Sequence, residues 1–179
     1  MRQIEVESKI KVKNVKDVRM KIKEIAKFVR KEKKVDDYYA LNACRYPKKS
    51  LRVRRSGEDV VVNFKGWINY KNGIHAKKEV EFKVSDLKGF FYLLKDFGFK
   101  KWLRKEKITE LYKTKDGVSI ELSYVKKLGW FVEIEIICAK SKIVPARRRI
   151  AELRNIIGFK KVDIEKSGYT KDLWDLKKK

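Results

Sequence analysis

The segment IEVESKIKV, residues 4–12, alternates strictly between two kinds of side chain. Four of one set are aliphatic and the fifth is a serine, whereas the other set is charged throughout: Glu5, Glu7, Lys9 and Lys11. Side chains of a strand point alternately to opposite faces, so this period of two predicts a β-strand with one apolar and one charged face. The fold of the chain depends on what that charged face contacts.

The same alternation recurs along the chain. Charged side chains share a strand face in these groups: Arg52 and Arg54; Lys77, Glu79 and Glu81; Lys105 and Lys107; Glu121; Glu133 and Glu135; with Lys65 closing the strand VVVNFK. A solvent-exposed sheet face explains any one of these strands. Like charges two residues apart repel, however, unless an opposite charge lies between them on a neighbouring strand. The set as a whole therefore favours a sheet that closes with its charged face inward, which also removes the sheet edges.

Turns and helical spacing predict an α+β domain built on a large antiparallel sheet. Apolar residues at helical spacing predict helices over 14–32, from Ser85 to Gly98, and from Pro145 to about Asn155. Eight or nine strands are predicted in addition to these three helices, and residues 35–43 form one of them. Tight turns are expected at 56–59, at 72–73 and at 115–117, with a loop over 66–76. We expect one domain over 1–176 and a frayed lysine tail at 177–179.

The chain carries a net charge of +24, and 40% of its residues are charged. Such a surface attracts polyanions, which include nucleic acids and phosphate compounds, so charge by itself does not separate a phosphate enzyme from an RNA binder. The lysine-rich composition, low in Met and Cys, also fits a heat-adapted organism. No apolar run approaches a membrane span and no signal sequence precedes Glu5, so we expect a cytoplasmic protein without a membrane partner.

A closed, charged interior has to hold water or a ligand, because isolated buried charge costs roughly tens of kcal/mol. Clustered carboxylate oxygens suit hard divalent cations such as Mg²⁺ or Mn²⁺. Arginine and lysine suit phosphate oxygens. A polyphosphate bound with divalent ions would bring both kinds of group together, as phosphoryl and nucleotidyl transfer require.

A series of motifs then resembles a known family, the CYTH superfamily of triphosphate tunnel metalloenzymes. They occur in the family's order: EVESK, DDYY, LRVR, NFKG, KKEVE, LGWFVEIEI and SGYTKDL. The resemblance covers residues 3 to 176 and is strongest to the class IV adenylate cyclase branch, which includes archaeal members. It implies a closed eight-stranded antiparallel β-barrel tunnel with helices packed outside, and triphosphate binding inside it with Mg²⁺ or Mn²⁺.

The resemblance also implies roles for the charged residues. Glu5, Glu7 and Lys9 form the candidate catalytic signature. The candidate metal ligands are Glu5, Glu7, Glu133 and Glu135, with Glu79 and Glu81 completing the acidic side and Glu121 as a substitute ligand. The candidate triphosphate-binding residues are Lys9, Arg52, Arg54, Lys65, Lys77, Lys105 and Lys107.

Three positions depart from the family pattern. Ser123 stands where the family commonly has an aspartate, and Glu121 shares its strand face. Lys77 and Lys107 stand where the family has arginines. A lysine offers a point charge rather than a bidentate fork, so we expect looser orientation of phosphate.

Two reactions follow from the resemblance. Attack by water would hydrolyse inorganic triphosphate, a nucleoside triphosphate or thiamine triphosphate. Attack by the ribose 3′-hydroxyl would convert ATP to cyclic AMP and pyrophosphate. His75, the only histidine, is expected to be exposed rather than catalytic.

Two alternatives remain: a non-catalytic protein that binds polyphosphate or nucleotide, and a basic RNA-binding protein. The second would use Trp67, Tyr70, Trp102 and Trp130 as stacking groups. Nucleic acid is not expected as the main partner, because Glu-x-Glu strands would repel phosphates if exposed. A homodimer is an expectation from the family.

Overall fold

The structure is a computed structural model that describes residues 4–47, 49–57, 59–160 and 163–177. Its strands form one closed barrel in the order β1-β5-β4-β3-β2-β6-β7-β8, and every neighbouring pair is antiparallel. The strands are β1 (Ile4–Val12), β2 (Ala26–Ala40), β3 (Leu51–Ser56), β4 (Asp59–Lys71), β5 (Ile74–Lys83), β6 (Lys100–Thr114), β7 (Ser119–Val125) and β8 (Gly129–Cys138). The α-helices are α1 (Val15–Ile25), α2 (Leu87–Asp96), α3 (Ile143–Ile157) and α4 (Tyr169–Lys177). The predicted α+β barrel with external helices is therefore confirmed.

Apart from Lys11, strand β1 is buried on both faces, and each face holds one kind of side chain. Val6 and Ile10 on the aliphatic face are fully buried, in one cluster with Ile22 of α1 and Ile150 of α3. The charged face of β1 points into the barrel, where Glu5 is 2% exposed. The main apolar core thus lies outside the barrel wall, under α1 and α3, and the interior is left to polar groups.

The first helix is shorter than predicted. Asn14 caps α1 by accepting a hydrogen bond from the Asp17 backbone N–H at 3.4 Å, but the helix ends at Ile25 and β2 begins at Ala26. From there β2 pairs with β6 as far as Ala40. The helical spacing over 14–32 was overridden in its second half by this cross-strand ladder, since local propensity is weaker than tertiary pairing.

The segment 66–76 is a β-hairpin and not the predicted loop. Strands β4 and β5 pair up to the turn at Asn72 and Gly73, whose φ angles are 53° and 78°. Two consecutive residues with positive φ are typical of the type I′ turn that suits the twist of a two-residue hairpin. The predicted turn position is confirmed, and the flanking residues continue the barrel wall.

The remaining boundaries follow the sequence closely. β3 and β4 meet at the predicted turn after Ser56, although residue 58 lies outside the described residues. Asp86 caps α2 by accepting a hydrogen bond from the Gly89 N–H at 2.9 Å, and Gly158, with a φ of 88°, ends α3. No helix in the described ranges is both long and apolar enough to span a bilayer.

A fourth helix, α4, packs at one end of the barrel through Leu173, which shares a buried cluster with Trp102 and Leu103. Lys177, predicted to begin a frayed tail, is the last residue of α4, whereas 178 and 179 lie outside the described residues. The single domain over 1–176 stays a prediction.

Candidate functional site

Charged side chains fill the barrel interior, here called the tunnel. Ion pairs join strands that are not neighbours in the sheet: Lys65 of β4 contacts Glu5 of β1, and Lys107 of β6 lies 3.0 Å from Glu133 of β8. Buried pairs of this kind form where side chains converge inside a closed barrel. The convergence expected from the strand alternation is therefore present.

One end of the tunnel holds a cavity of about 510 Å³, here called the basic cavity. Its described lining includes six cationic side chains and two carboxylates: Lys9, Lys49, Arg52, Lys65, Lys77 and Lys105, with Glu7 and Glu133. This excess of positive charge in a confined space favours an anion with several oxygens.

The other end holds a cavity of about 720 Å³, here called the acidic cavity. Its described charged lining consists of Glu5, Glu79, Glu81, Glu121 and Glu135, with Arg52, Arg54 and Lys65. Arg52 and Lys65 line both cavities and mark where the two meet. Charge therefore changes sign along the tunnel axis.

Three carboxylates meet near this junction. Oxygens of Glu5, Glu7 and Glu135 lie within 4.8 Å of one another. Glu7 and Glu135 are direct cross-strand partners on β1 and β8. Lys65 donates to Glu5, and Lys77 donates to Glu7. A cluster of three hard oxygen ligands fits Mg²⁺ or Mn²⁺.

The tunnel perturbs the acidity of these groups. Burial, with the neighbouring Glu7 carboxylate, raises the pKa of Glu5 well above its ordinary value. Burial also raises the pKa of Glu135. At Glu7 burial acts in the same direction, but the Lys77 and Lys65 ammonium groups outweigh it and hold the Glu7 pKa well below its ordinary value. Neighbouring carboxylates whose pKa values are shifted in opposite directions are typical of functional centres.

A second pair of carboxylates is engaged differently. Glu121 and Glu133 are cross-strand partners on β7 and β8, and Lys107 donates to both, at 2.7 Å and 3.0 Å. Lys34 donates to the other oxygen of Glu121 at 2.7 Å. Ser123, in the position of the family's aspartate, is fully buried and lies 2.9 Å from Thr109 Oγ1.

Asp36, the first aspartate of the DDYY motif, is a tunnel residue that was not among the predicted site residues. Arg54 donates to both its oxygens, at 2.7 Å and 3.0 Å, Lys105 lies 2.9 Å away and Arg52 4.0 Å away. Burial opposes ionisation of Asp36, but these cations hold its pKa well below the ordinary value. The strand alternation carried one indication that Asp36 faces the tunnel, because Asp36 shares a strand face with Lys34. Asp37, the second aspartate of the DDYY motif, points outward and accepts a hydrogen bond from Arg104.

The start of α4 closes over the basic cavity. Lys9 donates to the Ser167 carbonyl and lies 4.2 Å from the centre of the Tyr169 ring. Lys105 lies 5.1 Å from the same ring centre. Both contacts are within the range of cation–π attraction. The SGYTKDL motif, for which spacing gave no role, therefore contacts two cations of the site.

Two acidic candidates lie further out. Glu79 accepts from Asn63 and lies 3.5 Å from Arg52. Glu81 is exposed at the mouth of the acidic cavity. Neither belongs to the three-carboxylate cluster found among the described residues.

His75 was expected to be exposed, and this expectation was wrong. It is half-buried, lines the basic cavity and lies opposite Glu7 in the β1–β5 register. Burial, together with Lys77, lowers the pKa of the His75 imidazole. The hairpin in place of the predicted loop is what brings it to the cavity.

Among the described side chains, which do not include that of Trp67, the predicted stacking groups do not form one exposed face. Trp102 is 6% exposed and packs with Tyr38 and Trp174, while the Tyr70 ring is tilted against His75 with the ring centres 4.6 Å apart. A stacking platform for single-stranded nucleic acid requires rings open to bases. The geometry gives the RNA-binding alternative little support.

Comparison with known proteins gives a consistent picture. The CYTH domain matches residues 3–169. PH1819 protein from Pyrococcus horikoshii OT3 is 30% identical, with a TM-score of 0.80 over 96% of this chain and 99% of that one. PH1012 protein from the same organism is also 30% identical, with a TM-score of 0.79 over 93% and 98%.

A candidate adenylate cyclase from Vibrio parahaemolyticus is 20% identical and shares the fold, with a TM-score of 0.76 over 97% and 99% of the two chains. No curated protein matches the chain. The motifs, the closed barrel and the domain match over 3–169 agree, and the chain belongs to the CYTH family.

Proposed function

We propose that this protein is a metal-dependent enzyme that acts on a triphosphate, and that hydrolysis is its reaction. The observation that carries the proposal is the junction between the basic cavity and the cluster of Glu5, Glu7 and Glu135. A phosphate chain requires cationic side chains and a divalent cation requires carboxylate oxygens. This junction offers both kinds of group within one closed barrel.

The lysines and arginine of the basic cavity would bind the phosphate oxygens. Lys9 and Lys105 are held from one side by the Tyr169 ring, and Arg52 reaches towards both cavities. Cations fixed in this way orient an extended phosphate chain without reorganising during the reaction. A phosphorus atom of that chain would then lie beside the three carboxylates.

Glu5, Glu7 and Glu135 would hold Mg²⁺ or Mn²⁺. A divalent ion bound there supplies Lewis acidity, which lowers the pKa of a bound nucleophile and offsets charge on phosphate. Lys65 and Lys77, which now contact Glu5 and Glu7, line the basic cavity and are placed to turn to phosphate oxygens instead.

Hydrolysis requires less substrate positioning by the site than cyclisation does, because its nucleophile is water. Cyclisation of ATP would require in addition that the ribose 3′-hydroxyl be held in line with the α-phosphorus. The candidate substrates are inorganic triphosphate, nucleoside triphosphates and thiamine triphosphate.

The test is a substrate panel of tripolyphosphate, ATP, GTP and thiamine triphosphate, each with Mg²⁺, with Mn²⁺ and with EDTA. Ion chromatography separates orthophosphate, pyrophosphate and cyclic nucleotide. We expect metal-dependent release of orthophosphate. Cyclic AMP with pyrophosphate would identify a cyclase instead.

The matched variants are E5A in the cluster and E152A on the exposed side of α3. We expect E5A to abolish turnover and E152A to retain it. Tight binding of tripolyphosphate with no turnover under any condition would contradict the enzymatic proposal and favour the non-catalytic binding protein.

A further inference from the structure

Buried polar atoms without a hydrogen-bond partner gather at the basic cavity. Among the side chains that line it, Arg52 Nε, His75 Nδ1 and the Tyr169 hydroxyl are buried and find no partner within the described residues. An unpaired buried polar atom costs stability, so most such atoms in folded proteins are paired. Three of them on one cavity indicate that a bound ligand supplies the missing partners.

Tyr169 differs from the other two residues. Arg52 still reaches Glu79 and Asp36 through its terminal nitrogens, at 3.5 Å and 4.0 Å. His75 is half-buried rather than enclosed. Tyr169 is only 7% exposed, and the hydroxyl is the single polar atom of its side chain. No other hydrogen bond of this side chain therefore offsets the burial of the hydroxyl.

The surroundings of the Tyr169 ring fix the position of its hydroxyl. Phe131 packs edge-on against the ring, with the ring centres 4.9 Å apart and an angle of 80° between the planes. The ammonium groups of Lys9 and Lys105 lie 4.2 Å and 5.1 Å from the ring centre. A donor held in this way beside two cations meets an anion without reorganising.

The carboxylates of the cavity do not take this hydrogen bond. Glu133 lines the same cavity and, after burial, is the strongest influence that raises the pKa of Tyr169. It is nevertheless not in hydrogen-bonding geometry with the hydroxyl, and it accepts from Lys107 at 3.0 Å instead. A phenol is protonated at neutral pH, so the Tyr169 hydroxyl is free to donate.

We propose that Tyr169 is a substrate-binding residue whose hydroxyl donates a hydrogen bond to an oxygen of the triphosphate in the basic cavity. This inference rests on the proposed function, since it adds an uncharged donor to the same site. Tyr169 is the first residue of α4, so bound substrate also links this helix to the strands that carry Lys9 and Lys105.

The variant that tests this role is Y169F, which removes the hydroxyl and keeps the ring against Lys9 and Phe131. Calorimetry with tripolyphosphate in EDTA, where we expect no turnover, measures the Kd. We expect the Kd of Y169F to be at least about 10-fold higher than that of the wild type, because a hydrogen bond to a charged group contributes that much. The control is Y124F, which changes a tyrosine on β7 that is 42% exposed, and it should bind as the wild type does.

Thermal melting without ligand separates this role from a structural one. The hydroxyl is unpaired in the free protein, so Y169F should melt at the same temperature as the wild type or higher. The rise in melting temperature on adding tripolyphosphate should be smaller in Y169F. A lower melting temperature of ligand-free Y169F would overturn the inference, because the hydroxyl would then have a partner within the protein, such as Glu133.

The same comparison is made during turnover, from the KM for the best substrate of the panel with metal present. Equal Kd and KM in Y169F and the wild type would overturn the inference and leave the proposed function standing, since the cations would then bind the substrate without the hydroxyl. A wild-type protein that neither binds nor converts any triphosphate would overturn both.

Discussion

Glu7 and Glu135 lie directly opposite each other on β1 and β8, with Glu5 completing a cluster whose oxygens fall within 4.8 Å. Like charges in direct cross-strand register destabilise a sheet. Two lysines offset part of that cost, through the contacts of Lys65 with Glu5 and of Lys77 with Glu7. Such a cluster lowers the stability of the metal-free protein but offers three oxygen ligands. It is expected at a cation-binding site, because a bound cation stabilises the folded state.

This relationship predicts a trade-off in E135Q. We expect Mn²⁺ affinity to fall by at least about 10-fold, since loss of even a supporting partner of a metal ligand costs that much. Without metal the melting temperature should stay the same or rise, because a like charge has been removed. Isothermal titration and thermal melting measure the two effects. E152Q is the control, and a lower melting temperature in metal-free E135Q would contradict the reasoning.

Lys9 should contribute directly to phosphate binding. K9M removes an ammonium that lies in the basic cavity against the Tyr169 ring. A hydrogen bond to a charged group is worth roughly 1.5–3 kcal/mol, so we expect the Kd for tripolyphosphate to rise about 10- to 100-fold. K11M, two residues along the same strand and exposed, is the matched control. Equal effects of K9M and K11M in calorimetry would indicate long-range charge rather than contact.

Asp36 should be important for stability. D36N leaves Arg54 and Lys105 buried without their carboxylate partner, and removing one member of a buried ion pair costs about 3–5 kcal/mol. Urea unfolding measures this cost. D116N breaks the pair with Arg149, where the Asp116 side chain is 49% exposed, and should cost less than about 1 kcal/mol. Similar losses of unfolding free energy in D36N and D116N would show that the buried ion pairs of Asp36 do not stabilise the fold more than an exposed pair does.

The same residue predicts a pH dependence. The pKa of Asp36 is held well below its ordinary value, so the folded protein binds a proton there less readily than the unfolded chain does. Its contribution is complete above the unfolded pKa of about 3.9 and is lost as pH falls through that range towards the folded value. Glu5 and Glu135 act in the opposite sense, because their pKa values are raised.

The comparison of wild type with D36N isolates the Asp36 effect from these opposing groups. We expect the difference in unfolding free energy between the two proteins to shrink as pH falls from about 6 to about 3. Urea unfolding across that range provides the measurement. A difference that is constant with pH would assign the cost of D36N to shape rather than charge.

Much of the barrel could be predicted from local signals. The alternation in IEVESKIKV fixed which residues of β1 share a face, and the turn at Asn72 and Gly73 was placed correctly. The boundary between α1 and β2 was not, because residues 26–32 have helical spacing and become strand only through pairing with β6. The position of His75 at the basic cavity was also missed, because its strand was predicted as a loop.

The sequence by itself determined which chemical groups the site could contain. It showed strands with one charged face, acidic and basic residues in balanced numbers, and the motifs of the CYTH family. Only the tertiary structure decided which charges meet. It grouped Glu5 with Glu7 and Glu135, gave Asp36 three cations, and enclosed Lys107 between Glu121 and Glu133. The physical reason is that the face a strand residue occupies is set by its neighbours two positions away in the chain. Contact across a closed barrel depends instead on register and closure, which pair residues as distant as Ile4 and Cys138, 134 positions apart.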